Sequence, residues 1–489
     1  MSGRLDKHLG LFAGIASALL ILSSADFDGN WPAVKMAAIA VLMAVFWVSE
    51  AIPLAATALM PLVLFPLLGI SSSKTVAAHY MNSTVFLLLG GFMIALAMQR
   101  CNLHKRFALK ILTLTAGRPV SLMLGFMLAT AALSMWISNT ATTLVMLPIA
   151  LAVIERFQQD FDADQSRRFS VALLLSIAYS ASVGGMMTLV GTAPNLVFAQ
   201  NYLLTTGHSI SFLSWMLFAM PVGLLMLLVL AVILMVFFLR KLPHSDRVNQ
   251  LLQQEAVKMG KMSPAEQSVL VIFILTALLW MTRKGITVGS FSFSGWAAAL
   301  PFGGMIDDGT VAIAMAVLMF FIPARYASGQ KMRLLDERVF VELPWPVILL
   351  FGGGFALAFG FVESGLSVYL AGQLTGLKEI PLAGIVLILT AGMTLLTELT
   401  SNTATAQLLM PVLSAVAEAI RVQPLALMLP ATLAASCAFM FPVATPPNAI
   451  VFGSGKVKMA DMLKVGGVLN FLAIIIISIL SYFLAPLVF

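Results

Sequence analysis

Charge and cysteine are both scarce in this chain of 489 residues. Only 10% of the residues are charged, and the two cysteines, Cys101 and Cys437, lie far apart and outside any paired motif. The sequence therefore indicates no disulfide framework, and the five scattered histidines indicate no metal site. Apolar residues dominate instead. A hydrophobic content of 60% and a mean hydropathy of +1.00 exceed what a soluble core needs and are typical of a protein that crosses a membrane several times.

The apolar stretches predict eleven membrane-spanning helices, because each is close to the length that crosses about 30 Å of hydrocarbon. They cover residues 9–24, 34–49, 53–70, 84–98, 169–190, 211–239, 266–282, 308–323, 346–361, 424–443 and 465–488. Two further apolar pieces, 119–154 and 381–417, are each centred on a Ser-Asn-Thr run, and each half is too short for a comfortable crossing. The sequence predicts an all-α fold in which these pieces form two re-entrant helical hairpins.

An internal repeat links the two hairpins. The run Ser-Asn-Thr-Ala-Thr at 138–142 recurs at 401–405, which is 263 residues later. At the same offset, Gly-Gly-Phe at 90–92 matches 353–355, and Pro148 matches Pro411. Beyond the hairpins the offset becomes 253, since the first half carries a longer charged loop, and there Thr192, Pro194 and Asn195 match Thr445, Pro447 and Asn448. Three matching motifs, which occur in the same order in both halves, indicate a duplication.

The distribution of lysine and arginine predicts the orientation. With a cytoplasmic N-terminus, eleven spans place 22 basic residues inside and 6 outside, which satisfies the positive-inside rule. Equivalent loops of the two halves differ in charge, since 99–118 carries five basic residues and 362–381 carries only Lys378. The repeats are therefore predicted to be inverted, with one hairpin entering from each side and an extracytoplasmic C-terminus.

These features divide the chain into four predicted segments. They are an N-terminal span (1–33), a first inverted repeat (34–240) with a hairpin at 119–154, a cytoplasmic linker (241–263), and a second inverted repeat (264–489) with a hairpin at 381–417. The first apolar stretch is interpreted as a span and not as a signal peptide, because eight residues precede it and no clear small-residue cleavage motif ends it.

The hairpin tips predict a site for an anion together with Na⁺. Amide-rich helix starts attract carboxylates, and carbonyl-rich helix ends attract cations. The stretches 119–154, 169–239 and 422–455 contain no Asp, Glu, Lys or Arg, so no fixed cation in them neutralises a bound dianion. An uncompensated buried charge is expensive, and mobile cations bound beside the anion are the natural remedy. Gly and Pro within 191–195 and 444–448 are expected to break their helices at the same depth and free further backbone groups.

The chain resembles the divalent anion/sodium symporter family, which includes the sodium-coupled di- and tricarboxylate transporters. The resemblance covers nearly the whole chain and rests on the paired Ser-Asn-Thr runs, the paired Thr-x-Pro-Asn segments, and Glu-Ala-Ile-Pro at 50–53. Because both tripeptides end in Thr, the resemblance implies a di- or tricarboxylate site, whereas sulfate carriers tend to depart from the second tripeptide.

The resemblance also implies two sodium sites and a substrate site. The first sodium site would use Ser134, Ser138, Asn139 and the carbonyl of Gly191, and the second Thr397, Thr400, Asn402 and the carbonyl of Ala444. Thr400 stands where the family resemblance leads us to expect Ala, so it would contribute only its carbonyl. The substrate carboxylates would contact Asn139, Thr140, Asn402, Thr403, Thr445, Pro446 and Pro447.

A moving domain is a further implication of the resemblance. The family implies a homodimer in which the early spans of each repeat form a scaffold. The hairpins, the broken helices and the last span of each repeat then move across the bilayer as an elevator. The segment 98–117, with basic residues among apolar ones, is expected to form an interfacial amphipathic arm that links the two parts.

Several functional alternatives stay open from the sequence. The leading prediction is a transporter that couples Na⁺ influx to uptake of C4 dicarboxylates (succinate, malate or fumarate), with citrate or 2-oxoglutarate as further substrates. A dicarboxylate exchanger and a carrier of sulfate or another divalent anion are the alternatives, and an anion channel is less favoured because charge rings and a continuous polar stripe are missing. An enzyme would need an activated nucleophile or a metal cluster, and neither is visible in the sequence. The expected partners are the substrate, Na⁺, the lipid of a bacterial inner membrane and a second copy of the chain, without nucleic acid. Glu398 is ambiguous: it is structural, tunes cation binding or carries a proton.

Overall fold

Helices account for most of the molecule. The computed structural model describes residues 2–115, 118–240, 246–288, 291–326, 331–373 and 379–489, and 79% of the chain is helical. Parts of the predicted segments fall outside the described residues: residue 1 of the N-terminal span, residues 116 and 117 of the amphipathic arm, residues 241–245 of the linker, and residues 289–290, 327–330 and 374–378 of the second repeat, which include Lys378.

The first half of the chain, through the linker, consists of helices joined by short turns. They are α1 (Ser2–Ser24), α2 (Trp31–Ser49), α3 (Leu54–Ala58), α4 (Met60–Leu67), α5 (Ser73–Tyr80), α6 (Ser83–Arg100), α7 (Leu103–Thr115), α8 (Pro119–Ser134), α9 (Asn139–Gln158), α10 (Ala163–Met186), α11 (Ala193–Thr206), α12 (Phe212–Leu234) and α13 (Asp246–Lys258). A 3₁₀ turn at Phe27–Gly29 follows α1, and a π-helical turn at Met235–Leu239 extends α12.

The second half adds further helices and two small β-hairpins. The helices are α14 (Pro264–Arg283), α15 (Asp308–Met319), α16 (Val339–Glu342), α17 (Trp345–Glu363), α18 (Leu366–Gln373), α19 (Leu382–Thr397), α20 (Asn402–Ala419), α21 (Leu425–Ala434), α22 (Pro446–Gly453) and α23 (Met459–Val488). Strands β1 (Ile286–Val288) and β2 (Phe291–Phe293) pair antiparallel, as do β3 (Pro323–Arg325) and β4 (Lys331–Arg333). Two 3₁₀ turns, Trp296–Ala299 and Gly303–Met305, precede α15.

The helix lengths make this an integral membrane protein. Nine segments of the described residues are long and apolar enough to cross a bilayer, and eight of them coincide with predicted spans. They are Lys7–Ser24, Trp31–Ser49, Ser73–Arg100, Asn139–Gln158, Ala163–Met186, Phe212–Leu239, Pro264–Arg283, Trp345–Glu363 and Met459–Val488. Asn139–Gln158 is the one that does not coincide with a predicted span.

Three predicted spans are shorter than expected. The span at 53–70 is divided at Leu59, with Pro61 starting a new helix and Pro66 inside it. The span at 308–323 ends at Met319, before the strand that begins at Pro323. The span at 424–443 ends at Ala434. In the span at 53–70 the interruption lies next to proline, which removes a helical hydrogen bond and clashes with the preceding turn. A window of average hydropathy does not detect this effect.

The second half of the first hairpin is longer than the sequence analysis expected. Helix α9 has 20 residues because it continues through Glu155 and Arg156 to Gln158. The predicted charged loop at 155–168 is therefore largely helical, and only 159–162 separates α9 from α10. The Asp162 side chain accepts a hydrogen bond from the backbone N–H of Gln165 at 2.8 Å and caps α10.

Helix α10 lies at the centre of the molecule. All of its residues from Phe169 to Met186 are buried, and it packs against α8, α9, α12 and α22. A helix that is buried on every side is a core helix. Its neighbours come from both halves of the chain, so the core of the fold joins the two repeats.

A second apolar cluster lies between the early helices of the two halves. It joins buried residues of α2, α5 and α17, among them Trp47, Tyr80 and Phe361. Gly353 allows the close contact of α17 with α3, because a Cβ atom on it would meet the Ala58 Cα at 2.6 Å.

Candidate functional site

The two Ser-Asn-Thr runs each start a helix after a short non-helical turn. The first tip, residues 135–138, separates α8 from α9, and the second tip, residues 398–401, separates α19 from α20. Each half also has an interrupted helix: the first break, 187–192, lies between α10 and α11, and the second break, 435–445, lies between α21 and α22. The predicted site residues belong to these four segments and to the helix ends beside them.

Matching oxygen clusters lie beside the two tips. Ser134 Oγ lies 2.6 Å from Asn139 Oδ1 and 2.7 Å from the carbonyl oxygen of Ala181. Thr397 Oγ1 lies 2.7 Å from Asn402 Oδ1 and 2.7 Å from the carbonyl oxygen of Ala435. A hydroxyl has one hydrogen to donate, so each cluster holds one more acceptor than its hydroxyl can serve. Each cluster therefore consists of a hydroxyl, an amide and a carbonyl oxygen that share one hydrogen. Oxygen ligands of this kind are the ones that a hard cation prefers.

The two breaks are held by equivalent asparagines. Asn195 Nδ2 donates to the carbonyl oxygens of Gly185 and Thr188 at 3.1 and 2.7 Å. Asn448 Nδ2 donates to the carbonyl oxygens of Ala438 and Phe441, both at 3.0 Å. These partners are related by the offset of 253 that the sequence shows. An interrupted helix leaves carbonyls without helical partners, and a buried amide satisfies some of them.

Two glycines, one at the end of α10 and one in the first break, allow these segments to lie close to the first tip. A Cβ atom on Gly185 would lie 2.5 Å from Asn139 Oδ1, and one on Gly191 would lie 3.0 Å from the carbonyl oxygen of Ser134. Glycine therefore permits a backbone approach that any side chain would block. The structure thus brings together Ser134, Asn139 and Gly191, three of the four residues predicted for the first sodium site.

Four helices begin at the tips and breaks, and they pack in crossed pairs. Helix α9 packs against α22, and α11 packs against α20, so each pair combines a helix of one half with a helix of the other. Helix N-termini carry unpaired N–H groups and a partial positive charge, which favour bound anions. The crossed packing therefore places helices of the two halves side by side, and each of them begins at a tip or a break.

The remaining predicted residues differ in exposure and in contacts. Thr140 and Thr403 are half-buried in the first turns of their helices, and Ser138 is exposed and caps α9 by accepting from the backbone N–H of Ala141 at 3.3 Å. Thr445 caps α22 by accepting from the backbone N–H of Asn448 at 3.3 Å. Next to it, Pro446 is exposed and Pro447 is buried.

The Thr400 hydroxyl points away from the oxygen cluster of the second tip. It lies 2.8 Å from the carbonyl oxygen of Leu396 and 2.5 Å from Thr405 Oγ1. The residue also lines a small apolar cavity of about 60 Å³ beside Trp47 and Val48 of α2. The side chain is therefore engaged elsewhere, and only the main-chain carbonyl of Thr400 is left for a role at the tip.

Sequence reasoning missed two kinds of group. The carbonyls of Ala181 and Ala435 complete the oxygen clusters, but a backbone carbonyl has no signature in the sequence. The contacts of Glu398 were also not predictable. Its carboxylate is buried and accepts from the backbone N–H groups of Phe439, Met440 and Phe441 at 2.7, 2.8 and 3.1 Å, and from Asn470 Nδ2 at 2.6 Å.

A separate cavity of about 190 Å³ lies between α11 and the ends of α6, α14 and α15, and none of the predicted tip residues is among the described residues that line it. Arg283 pairs there with Asp308 at 2.5 Å, and Lys284 Nζ donates to Ser209 Oγ at 2.6 Å. Burial lowers the pKa of Lys284, and the nearby charge of Arg283 lowers it further. With Asp307 also in the lining, the cavity has mixed charge and does not favour an anion.

The sodium:sulfate symporter transmembrane region is the family model that matches this chain, over residues 6–489. The chain belongs to the sodium:sulfate symporter family. Members of this family are membrane transporters, so the protein is not an enzyme. The family assignment agrees with the resemblance that the paired Ser-Asn-Thr runs indicate.

Relatives of this sodium:sulfate symporter family member cover most of the chain. The sodium-dependent dicarboxylate transporter SdcS of Staphylococcus saprophyticus is 41% identical over 454 residues, which cover 92% of this chain and 85% of the relative. SdcS of Staphylococcus aureus strain MRSA252 is 40% identical over 486 residues, which cover 98% of this chain and 91% of the relative.

Two solved transporter structures share the fold of this family member at low sequence identity. The YdaH transporter of Alcanivorax borkumensis has a TM-score of 0.54 at 12% identity, with 84% of this chain and 86% of that chain covered. MtrF of Neisseria gonorrhoeae has a TM-score of 0.54 at 14% identity, with 86% and 84% covered. At such identities the likeness concerns the fold alone.

Proposed function

We propose that this protein is a secondary active transporter that couples Na⁺ influx to the uptake of C4 dicarboxylates such as succinate, malate and fumarate, with citrate or 2-oxoglutarate as further substrates. The observation that carries the proposal is the pair of equivalent oxygen clusters at Ser134–Asn139 and Thr397–Asn402. The relatives named sodium-dependent dicarboxylate transporters support the choice of ion and substrate class.

Each cluster is assigned to one Na⁺ ion. The first site uses Ser134, Ser138, Asn139 and the carbonyl of Gly191; the second uses Thr397, Asn402 and the carbonyls of Thr400 and Ala444. The carbonyls of Ala181 and Ala435 are additional ligands, because each lies 2.7 Å from the cluster hydroxyl. Oxygen atoms at broken helices, backbone carbonyls in particular, are the ligands that coordinate Na⁺ in transporters.

The substrate carboxylates are assigned to the helix starts between the two ions. Asn139, Thr140, Asn402 and Thr403 lie in the first turns of α9 and α20, where free N–H groups favour anions. On the α22 side, Thr445, Pro446 and Pro447 complete the contacts. The neighbouring stretches carry no lysine or arginine, so bound Na⁺ supplies the positive charge that a dianion needs.

The carrier is proposed to work as an elevator within a homodimer in a bacterial inner membrane. The two apolar hairpins are re-entrant in this mechanism and move with the broken helices, while helices such as α6 stay in the scaffold, with the N-terminus cytoplasmic and the C-terminus outside. Helix α7 supports the proposed amphipathic arm, because Leu103, Leu109 and Leu112 are buried on one side of it whereas Lys105 and Lys110 are exposed.

A cross-link tests this motion directly. Thr84 of α6 and Gln200 of α11 are in contact, with Thr84 Oγ1 2.5 Å from Gln200 Oε1. Bridging the variant T84C/Q200C should stop transport reversibly, and each single variant treated in the same way should remain active. Undiminished uptake by the bridged double variant would refute relative motion of α6 and α11.

The decisive experiment is uptake of labelled succinate into proteoliposomes. An inward Na⁺ gradient should drive accumulation without internal substrate, and K⁺ in place of Na⁺ should abolish it. Uptake that ignores Na⁺ but requires preloaded dicarboxylate would make the protein an exchanger. Sulfate, which the family description suggests as a second substrate, is tested as a competitor. If sulfate competes and succinate is not carried, the substrate assignment fails.

A further inference from the structure

We infer that Glu398 is a positioning residue that fixes the second break against the second tip and gives the second sodium site a negative charge that the first site lacks. The inference rests on the proposed function, since it concerns one of the two proposed sodium sites. It resolves the ambiguity of this residue in the sequence by the contacts that its carboxylate makes.

The carboxylate of Glu398 is surrounded by hydrogen-bond donors. Glu398 is 4% exposed, and all its hydrogen-bond partners among the described residues are donors: three consecutive backbone N–H groups, 439–441, and the amide of Asn470. An ionised carboxylate only accepts hydrogen bonds, whereas a protonated one must also donate. The surroundings therefore match the charged form. No salt bridge to Glu398 is found among the described residues.

The carboxylate of Glu398 connects the second tip with the second break. Glu398 directly follows Thr397, whose hydroxyl belongs to the second oxygen cluster. The N–H groups of 439–441 belong to the second break, which also supplies the carbonyls of Ala435 and Ala444. Phe441 in addition accepts from the backbone N–H of Ala444 at 3.3 Å. One carboxylate thus joins the two segments that together provide the proposed ligands of the second site.

The first half has an uncharged residue at the position equivalent to Glu398. At the offset of 263, the residue equivalent to Glu398 is Met135, which has no charge. There the first break is joined to the first tip by a neutral contact, since the Thr188 hydroxyl donates to the carbonyl of Met135. Because the ligands of both proposed sites are neutral, the carboxylate of Glu398 makes the surroundings of the second site more negative than those of the first. A nearby negative charge in a medium of low dielectric constant favours a bound cation.

The test measures the Na⁺ response of E398Q and N470A with labelled succinate in proteoliposomes. The E398Q variant removes the charge and retains the shape, and it should raise the half-saturating Na⁺ concentration about tenfold. The N470A variant keeps the charge and loses one donor, and it should raise that concentration about threefold. In both variants, the KM for succinate at saturating Na⁺ should change less than the Na⁺ response.

A matched control is E266Q. Glu266 is another buried carboxylate, paired with Arg106 at 2.6 Å, and its partners lie outside the tips and breaks. This variant should lose thermal stability but keep the wild-type half-saturating Na⁺ concentration within about twofold. A general effect of removing a buried charge would shift E266Q and E398Q alike, and that result would overturn the inference.

The outcomes separate this inference from the proposed function. If wild-type uptake is Na⁺-dependent and the folded E398Q and N470A proteins keep the wild-type Na⁺ curve, the inference is wrong and the proposed function stands. If wild-type uptake needs no Na⁺, the proposed function fails first. Should E398Q not fold, N470A alone decides, because it leaves the carboxylate in place, and an unchanged Na⁺ curve then overturns the inference.

Discussion

The two halves of the protein build the same oxygen cluster and support it differently. In the first half, Trp215 Nε1 donates to the carbonyl of Met186 at 3.0 Å, and the hydroxyl of Thr188 bonds the tip. In the second half, Glu398 and Asn470 take over this role. The oxygens of the two clusters follow the duplication, whereas the contacts that support the clusters do not. The two halves therefore differ in the contacts that support the clusters, and we expect any difference in Na⁺ affinity to come from these contacts.

Removing the amide from either cluster should have the largest effect. The variants N139A and N402A each lose a side chain assigned to both an ion and the substrate. Uptake at fixed Na⁺ and succinate should fall about a hundredfold in each case, because two binding events are weakened together. The two losses should be similar if the halves are functionally equivalent. A variant with normal Na⁺ dependence would contradict the shared role of that asparagine.

Exchanging the cluster hydroxyls should give an intermediate effect. The variants S134A and T397A should each raise the half-saturating Na⁺ concentration about tenfold, since one of the oxygen ligands is lost. The exchanges S134T and T397S keep the hydroxyl and serve as controls that should restore the Na⁺ response. If the alanine variants bind Na⁺ normally, these hydroxyls only connect the tips to Ala181 and Ala435.

Changing the threonines of the tripeptides should affect the substrate more than the ion. The variants T140A and T403A should raise the KM for succinate about fivefold and leave the half-saturating Na⁺ concentration within about twofold. Serine at either position retains the hydroxyl and should restore most of the affinity. A shift confined to the Na⁺ response would mean that the roles of Asn and Thr in the tripeptides are misassigned.

The sequence predicted the equivalence of the two halves better than it predicted the lengths of the helices. The offsets of 263 and 253 matched Ser134 with Thr397 and Asn195 with Asn448, and these pairs make equivalent contacts in the structure. The residue types at the two offsets are enough to predict these pairs, because the two halves of a duplicated chain fold alike. The spans at 53–70 and 308–323 were wrong in length, since averaged hydropathy does not register where a helix is interrupted.

Long-range contacts were beyond the reach of the sequence for a different reason. Glu398 meets N–H groups that lie 41 to 43 residues further along the chain, and backbone donors are the same at every position. Only the packing of α19 against α21 and α23 brings them together. The carbonyls of Ala181 and Ala435 were missed in the same way.

Breaking one neutral support of the first half should have the smallest effect. The variant W215F loses the indole hydrogen bond to Met186 and should reduce the stability by about 1 kcal/mol, with a modest rise in the half-saturating Na⁺ concentration. The variant W280F is the matched control, because Trp280 Nε1 donates to the carbonyl of Asp308 at 2.9 Å, and Asp308 is not adjacent in sequence to either break. Equal effects of both variants on the Na⁺ response would show that Trp215 does not support the first site.

The burial of both native cysteines makes the protein a suitable background for labelling at introduced cysteines. Cys437 lies within the second break and is fully buried, and Cys101 is 7% exposed. A thiol reagent added to the native protein should therefore react slowly, and new cysteines can be introduced at the surface with little background. Modification of Cys437 requires an opening of the segment that carries Ala435 and Ala444. Its reaction rate with and without Na⁺ would report how often that segment opens, without a fluorophore or a mutation.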